Sequence, residues 1–281
     1  MISEEERALM SSDSKIGLLS TIDEEGSPHI TFISSIQPHG SDQLTAGQFC
    51  GGLSKRFFKE RPRVGFLIFS PQMDIWRGRA GFDKTLTSGP EYEAYNKKPM
   101  FRYNSYFGFG AIHYFDLVDI TEREKLTMGQ IIGGAIKTRA LQPFLAKDAT
   151  GALNDISRAM FSQIDGLKFI SYIDRDGYPA LIPAIQAANA GRDRILFSLS
   201  PFGRELAEIP DQADVAVLFV NLKMESVLVK GSYSKGRGII PYGLVEISRV
   251  YNSMPPQPGY IYPRENYHPK VVDFSIIKPG N

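Results

Sequence analysis

The chain has 281 residues, 42% hydrophobic and 22% charged, which is ordinary globular usage and excludes a fibrous or mostly disordered protein. Thirty-two basic against 31 acidic side chains give a formal net charge of +1, so no global field draws nucleic acid or an anionic membrane, and neither is expected as a partner. A single cysteine, Cys50, excludes an intrachain disulfide framework, and the four histidines (29, 39, 113 and 268) show no metal-ligand spacing, so no metal is expected.

The chain begins with acidic residues, Glu4 to Glu6, without a basic or apolar leader. Its apolar runs, such as Val64–Phe69 and Val215–Val220, are too short to span a bilayer. A cytoplasmic protein is the expectation. Ser3 followed by Glu6 has capping-box spacing and predicts a helix over Glu4–Met10. A strand Gly17–Ile22 follows, then a turn with Asp23 and Gly26, a second strand His29–Ile36, and a third ending near Phe49. A short helix Ser54–Glu60 precedes strands Val64–Phe69 and Ile75–Arg79. An aromatic segment at about 82–107 holds Tyr92, Tyr95, Phe101, Tyr103, Tyr106 and Phe107. A strand Ala111–Ile120 leads to Thr121-Glu-Arg-Glu124, which predicts a cap for a helix to about Ala135. The same series then begins again: a helix Leu153–Gln163, strands Phe169–Ile173 and Ala180–Ala187, a third ending near Leu199, a helix Arg204–Ile209, and strands Val215–Val220, Ser226–Lys230 and Ile239–Ile247.

The second series is a copy of the first. Ser20-Thr-Ile-Asp-Glu-Glu-Gly-Ser-Pro28 and Ser171-Tyr-Ile-Asp-Arg-Asp-Gly-Tyr-Pro179 share Ser, Ile, Asp, Gly and Pro at one spacing, offset by 151. Ile75-Trp-Arg-Gly78 resembles Leu228-Val-Lys-Gly231, and Val118-Asp-Ile-Thr121 resembles Val245-Glu-Ile-Ser248. Matches in one order indicate a duplication. Gly78 to Val118 spans 40 residues and Gly231 to Val245 only 14, so the first copy carries an insertion of about 26 residues. Six short strands per copy with few helices predict a mainly β protein of two small barrels. The expected division is 1–122, a helical connector 123–149, a second barrel 150–250, and an extended arm 251–281.

Two stretches, Leu18-Leu-Ser-Thr-Ile-Asp-Glu-Glu-Gly-Ser-Pro-His29 and Ser54-Lys-Arg-Phe-Phe-Lys-Glu-Arg-Pro-Arg-Val64, carry a resemblance. With this order of elements, the chain resembles the pyridoxamine 5′-phosphate oxidase-like superfamily of FMN-binding split barrels, present as a tandem duplication. The resemblance implies FMN held between two barrels, here an internal pseudo-dimer, with a further homodimer left open. It implies a flavin-dependent oxidoreductase acting on an unknown small substrate. A non-catalytic flavin or haem binder, a deazaflavin F420 protein, and a degenerate barrel kept for assembly remain alternatives. Family oxidases place Arg and Lys on the second strand, whereas His29-Ile-Thr-Phe-Ile-Ser-Ser35 has neither, which argues against pyridoxamine phosphate oxidation itself. The C-terminal Arg and His of that enzyme have no alignable counterpart, although Arg264 and His268 lie near the end.

Ser54, Lys55 and Arg56 at a helix start offer free N–H donors, a hydroxyl and two cations, a composition suited to a phosphate; the alternative is a Ser N-cap with a solvated basic face. In the second copy, Arg204 is answered by Glu205 and Glu208, which would repel a phosphate. The resemblance places Thr31, Ser34, Phe49 and Cys50 beside the flavin ring and ribityl chain; the alternatives are an ordinary strand and a buried structural Cys. Arg77 and Arg79 share one strand face, aimed at ligand or at solvent. His113 alternates with apolar neighbours and reads as a satisfied, half-buried histidine. No catalytic residue is assignable. The aromatic insertion reads as a cover for the flavin site or as an oligomer contact.

Overall fold

The computed structural model describes residues 2–12, 14–48, 51–98, 108–221, 223, 225–236, 238–252 and 259–263. It opens with helix α1 (Glu4–Met10), where Ser3 Oγ accepts the Glu6 N–H at 3.2 Å as the capping-box spacing requires. The first sheet holds β1 (Ile16–Ile22), β2 (Pro28–Phe32), β3 (Gln37–His39), β4 (Gln43–Gln48), β5 (Arg63–Phe69), β6 (Asp74–Leu86), β7 (Ala111–Ile120) and β8 (Glu124–Lys125). Helices α2 (Leu53–Glu60) and α3 (Pro90–Lys97) lie in its connections, and α4 (Met128–Leu145) joins the halves. In the second half, α5 (Asp155–Ser162) precedes β9 (Leu167–Ile173), β10 (Pro179–Pro183), β11 (Ala188–Asn189) and β12 (Arg194–Ser198). Helix α6 (Gly203–Glu208) then leads to β13 (Asp214–Val220), β14 (Ser226–Gly236), β15 (Tyr242–Asn252) and β16 (Gly259–Tyr262).

The sheets repeat one topology. The first runs β2-β1-β5-β6-β7-β4-β3 and the second β10-β9-β13-β14-β15-β12-β11, with β8 pairing β6 and β16 pairing β15 at the margins. All these pairings are antiparallel, and the two curled sheets are the expected pair of β half-barrels. The copied turns agree in detail. Asp23 Oδ1 accepts the N–H groups of Glu25 (3.0 Å) and Ser27 (2.8 Å). Asp174 Oδ1 accepts those of Asp176 (2.9 Å) and Tyr178 (2.8 Å). Gly26 and Gly177 sit at φ +82° and +77°, a region closed to most side chains, which explains why Gly recurs.

The halves meet back to back, and equivalent residues touch. Ser20 and Ser171, offset by 151, share a buried 2.8 Å hydrogen bond, as expected at a pseudo-two-fold axis. Around them one apolar cluster takes Leu18, Ile30, Leu67 and Phe69 from the first half and Phe169, Leu181, Leu218 and Tyr251 from the second. At Gly65 the backbones come so close that a Cβ would lie 1.9 Å from Pro179 O. Each half also keeps a core of its own, around Phe58, Phe66, Trp76 and Phe115 or around Phe161, Phe197, Phe219 and Tyr233.

Several elements differ from expectation; each sheet has eight strands where six were expected, the second strand of the second copy ends at Pro183, and β15 and β16 take up part of the expected arm. The second strand stops at Phe32, because Ile33–Ile36 form a turn closed by Ile36 N–H to Ile33 O. Thr121–Glu124 does not cap a helix: Glu124 pairs with Ile75 in β8 and its carboxylate binds Arg77, so α4 starts later, at Met128. The last strand of the first copy pairs with an extended β6 through Leu86, so the insertion begins as strand and continues as α3. Among the described residues no helix is long and apolar enough to cross a membrane.

Candidate functional site

A cavity of about 600 Å³ opens where the halves meet. Helix α2 contributes Leu53, Arg56 and Phe57, the β1–β2 turn contributes Asp23, Glu24 and Glu25, and the second half contributes Arg249, Tyr251 and Tyr260. Its walls are aromatic and its rim is charged. Arg56 pairs with Glu24 (2.6 Å) and Arg249 with Glu25 (2.6 Å), both in solvent. Beneath the rim, Lys230 reaches across the seam to Asp23, and both side chains are almost fully buried. Burial pulls the Lys230 ammonium below the usual lysine range, against the Asp23 carboxylate, which raises it. His29 is wedged between the rings of Phe57 (5.3 Å) and Tyr251 (4.9 Å). Burial, with a smaller contribution from Lys230, holds His29 well below the usual histidine range, so it is neutral near pH 7. Its Nδ1 is buried with no hydrogen-bond partner among the described residues.

Helix α2 starts beside this cavity. Gly52 is its N-cap, in extended backbone with no side-chain cap, so Ser54 is not the N-cap that one reading expected. A Cβ added at Gly51 or Gly52 would meet nothing within 4 Å, which leaves the helix N-terminus open. Ser54 turns inward, and its hydroxyl hydrogen-bonds to that of Thr31 on β2. The structure thus brings Thr31 and Ser54 together and puts Arg56 on the cavity wall. Lys55 acts from the other side of the helix: burial, then Lys55 and Lys59, pushes His113 down to about 4. His113 is satisfied, with Nε2 at 2.8 Å from Gln48 Oε1 and Nδ1 at 2.9 Å from Thr85 Oγ1. Ser34 lies in the turn after β2 and does not line the cavity. Phe49, Cys50, Arg264, His268, Phe101, Tyr103, Tyr106 and Phe107 lie outside the described residues. The described part of the insertion packs beside β4: Tyr95 donates to Ser35 O (3.0 Å) and meets Thr45 (2.9 Å).

The pseudo-symmetric place is closed. Arg77, the counterpart of Lys230, carries the carboxylates of both Glu124 and Glu205 and also donates to Leu181 O at 3.3 Å. Those two carboxylates raise it against the opposing effect of burial. Phe202 lies against the guanidinium at 5.2 Å. Arg79 pairs with Asp119 on its own sheet and, across the seam, with Asp176 at 2.7 Å. Both arginines therefore tie the halves together, Arg77 from a buried place and Arg79 at the surface, with its pairs in solvent. The second-half residues of the cavity were missed from sequence because β15 and β16 reach it only through the fold. The one available signal was the alignment of Lys230 with Arg77.

No family model and no curated protein matches the chain. Solved structures do. An FMN-binding protein from Syntrophomonas wolfei subsp. wolfei is 21% identical over 43% of this chain and 84% of its own, with a TM-score of 0.38. HupZ from Group A Streptococcus is 17% identical over 43% and 92%, with a TM-score of 0.36. An F420 reductase is 16% identical over 43% and 98%, with a TM-score of 0.35. Two others, from Lactobacillus delbrueckii and Listeria innocua, are provisionally named pyridoxamine 5′-phosphate oxidases. Each match spans about one half of this chain; the likeness is one of fold and leaves activity to be argued from the site.

Proposed function

We propose that the chain binds one flavin nucleotide, FMN, in the cavity between its halves and acts as a flavin-dependent oxidoreductase on a small substrate. The observation that carries this reading is the asymmetry of the two pseudo-equivalent places. One is open, aromatic, and bordered by a helix that starts Ser-Lys-Arg; the other is filled by Glu205, Arg77 and Glu124. The cavity falls within the 300–1,000 Å³ range of small-molecule sites.

The residues present fit such a ligand in three ways. The uncapped N-terminus of α2 supplies N–H donors and about half a positive charge for a phosphate. Arg56 and Arg249 add cations whose present partners, Glu24 and Glu25, hold them through exposed ion pairs worth ~0–1 kcal/mol each, which a phosphate can displace. Phe57, Tyr251 and Tyr260 offer faces for a flat ring. Neutral His29, packed behind Phe57 and Tyr251, and the paired Lys230 and Asp23 keep the region behind the aromatic wall free of net charge. A bound flavin would supply the electron transfer, and the chain would hold the ring away from water.

The absorbance spectrum of the purified chain is the direct test. Flavin bands support the reading, whereas a Soret band would put haem in the cavity. Titration with FMN, followed by flavin fluorescence, should saturate at one per chain. Charge-assisted hydrogen bonds contribute about 1.5–3 kcal/mol each, so Arg56→Ala with Arg249→Ala, the two cations on the cavity wall, should weaken FMN by at least about tenfold. Unchanged affinity, or two flavins per chain, would sink the assignment.

A further inference from the structure

The β1–β2 turn carries three acids in succession, and each meets one cation at the cavity. Asp23 holds Lys230, Glu24 holds Arg56, and Glu25 holds Arg249. Three charges of each sign cancel, so the cavity presents no net positive field to an anion. The pairs are not alike. Lys230 and Asp23 are buried, whereas the side chains of Glu24 and Glu25 are 61% and 57% exposed, and water weakens their hold. The turn does not depend on the outer pairs, because Asp23 Oδ1 accepts the Glu25 and Ser27 N–H groups and Arg61 donates to Glu24 O at 3.1 Å. The arginines have a second support too: Arg56 lies over the Phe57 ring at 5.4 Å and Arg249 over that of Tyr260 at 5.8 Å. Neither outer pair is repeated at the closed place. There Arg175 stands for Glu24, Leu206 for Arg56 (counted from the helix N-caps) and Glu122 for Arg249, by the alignment of Val118-Asp-Ile-Thr-Glu122 with Val245-Glu-Ile-Ser-Arg249.

We propose, building on the flavin nucleotide reading of this cavity, that Glu24 and Glu25 stand in for the ligand's phosphate: they hold Arg56 and Arg249 until a phosphate replaces them, so an anionic ligand binds by exchange rather than by addition. A phosphate that reaches the arginines must part both pairs and then lie beside two freed carboxylates of its own sign. Inorganic phosphate has only its own hydrogen bonds to offset this, whereas a ligand with a flat ring also buries apolar surface against Phe57, Tyr251 and Tyr260. The acids weaken both ligands by a similar factor, and the weaker one is then unbound at concentrations where the stronger still saturates the site. They also serve the chain without a ligand. Arg56 comes from the first half and Arg249 from the second, and without the carboxylates two like charges would face one cavity across the seam. The Glu25–Arg249 pair itself crosses that seam. Arg77 shows the opposite arrangement: it is 9% exposed between its two carboxylates, and no anion can reach it to exchange.

Isothermal titration calorimetry of the full chain with inorganic phosphate, FMN and riboflavin tests this. Glu24→Gln with Glu25→Gln should tighten phosphate and FMN alike, by about three- to thirtyfold for the two exposed pairs together, and leave riboflavin, which has no phosphate, unchanged. Added to Arg56→Ala with Arg249→Ala, the two glutamines should change nothing. Unaltered phosphate affinity in the glutamine variant overturns the proposal. So does riboflavin tightening as much as FMN, because the cavity has then loosened as a whole. A gain that persists without the arginines overturns it too, because it then comes from net charge alone. If FMN binds and loss of the arginines weakens it while the glutamines have no effect, this proposal fails and the flavin reading stands. If phosphate tightens as stated and no flavin binds, the exchange role of Glu24 and Glu25 stands and the flavin reading fails.

Discussion

Replacing Lys230 by Met should destabilise both halves at once. Lys230 belongs to the second half and its partner Asp23 to the first, and their side chains are 6% and 5% exposed. After the substitution, Asp23 Oδ1 keeps the Glu25 and Ser27 N–H groups, but Oδ2 loses its cation in a dry site. Breaking one side of a buried pair costs about 3–5 kcal/mol, and the retained N–H bonds favour the lower figure. At ~2–4 °C per kcal/mol for a chain of this size, the melting point should fall by roughly 6–12 °C. Adding Asp23→Asn removes the stranded charge and should recover about half of that loss. Arg79→Met is the control, since its pairs with Asp119 and Asp176 are exposed and such pairs contribute ~0–1 kcal/mol. The assay is urea unfolding at pH 7, followed by Trp76 fluorescence and by far-ultraviolet circular dichroism. Trp76 is the only tryptophan and is fully buried in the first half, so it reports on the half that was not mutated. A loss below about 1 kcal/mol would refute the reasoning about the pair. A Trp76 transition that stays put while circular dichroism shifts would refute the claim that the seam couples the halves.

Two further outcomes follow from particular residues. His113 is pushed down to about 4, below its ordinary 6.5, so between these values the unfolded chain takes up a proton that the folded one refuses. Stability should fall as pH drops from 6.5 to 4, by up to about 3 kcal/mol, and His113→Gln should remove that share of the slope in urea melts taken at pH 7, 5.5 and 4.5. Gly65→Val should abolish the closed seam, since even a Cβ would lie 1.9 Å from Pro179 O. Gel filtration should then show aggregated or expanded protein, and a normal elution volume would count against the close approach.

Much of the fold was legible because it is written twice. The hairpin turns need Asp to bind two backbone N–H groups and Gly to take positive φ, so both copies kept those residues at one spacing. Strands and short helices followed from local apolar patterning, and α1 from its capping residues. Arg77 was misread because its role depends on a partner in the other half, and Glu124 because it pairs with β6, 47 residues back at Arg77, and not with its sequence neighbours. A strand face near Arg77 looks like any basic strand face until Glu205 is seen 128 residues away. The cavity suffered from the same distance, since Phe57 and Tyr251 come together only when the halves close.

On the proposed reading, that closure also explains how one chain can keep one site. A dimer of identical barrels must carry two identical sites, because its two-fold axis copies every substitution. Joined in one chain, the copies are free to differ, and they differ by reversal of charge. Counted from the N-caps Gly52 and Phe202, Glu205 of α6 stands in the place of Lys55 of α2, and Tyr251 pairs with Leu228 where Glu124 pairs with Ile75. On one side Tyr251 lines a cavity. On the other the two carboxylates have an arginine to bind and no room beside it. In the second place a buried Arg77 holds two half-exposed carboxylates, an ion cluster between α6, β6 and β8 that ties the second half to the first. On the proposed reading, the cluster that closes the second place is also one of the contacts that attach the halves, beside Ser20–Ser171 and Lys230–Asp23.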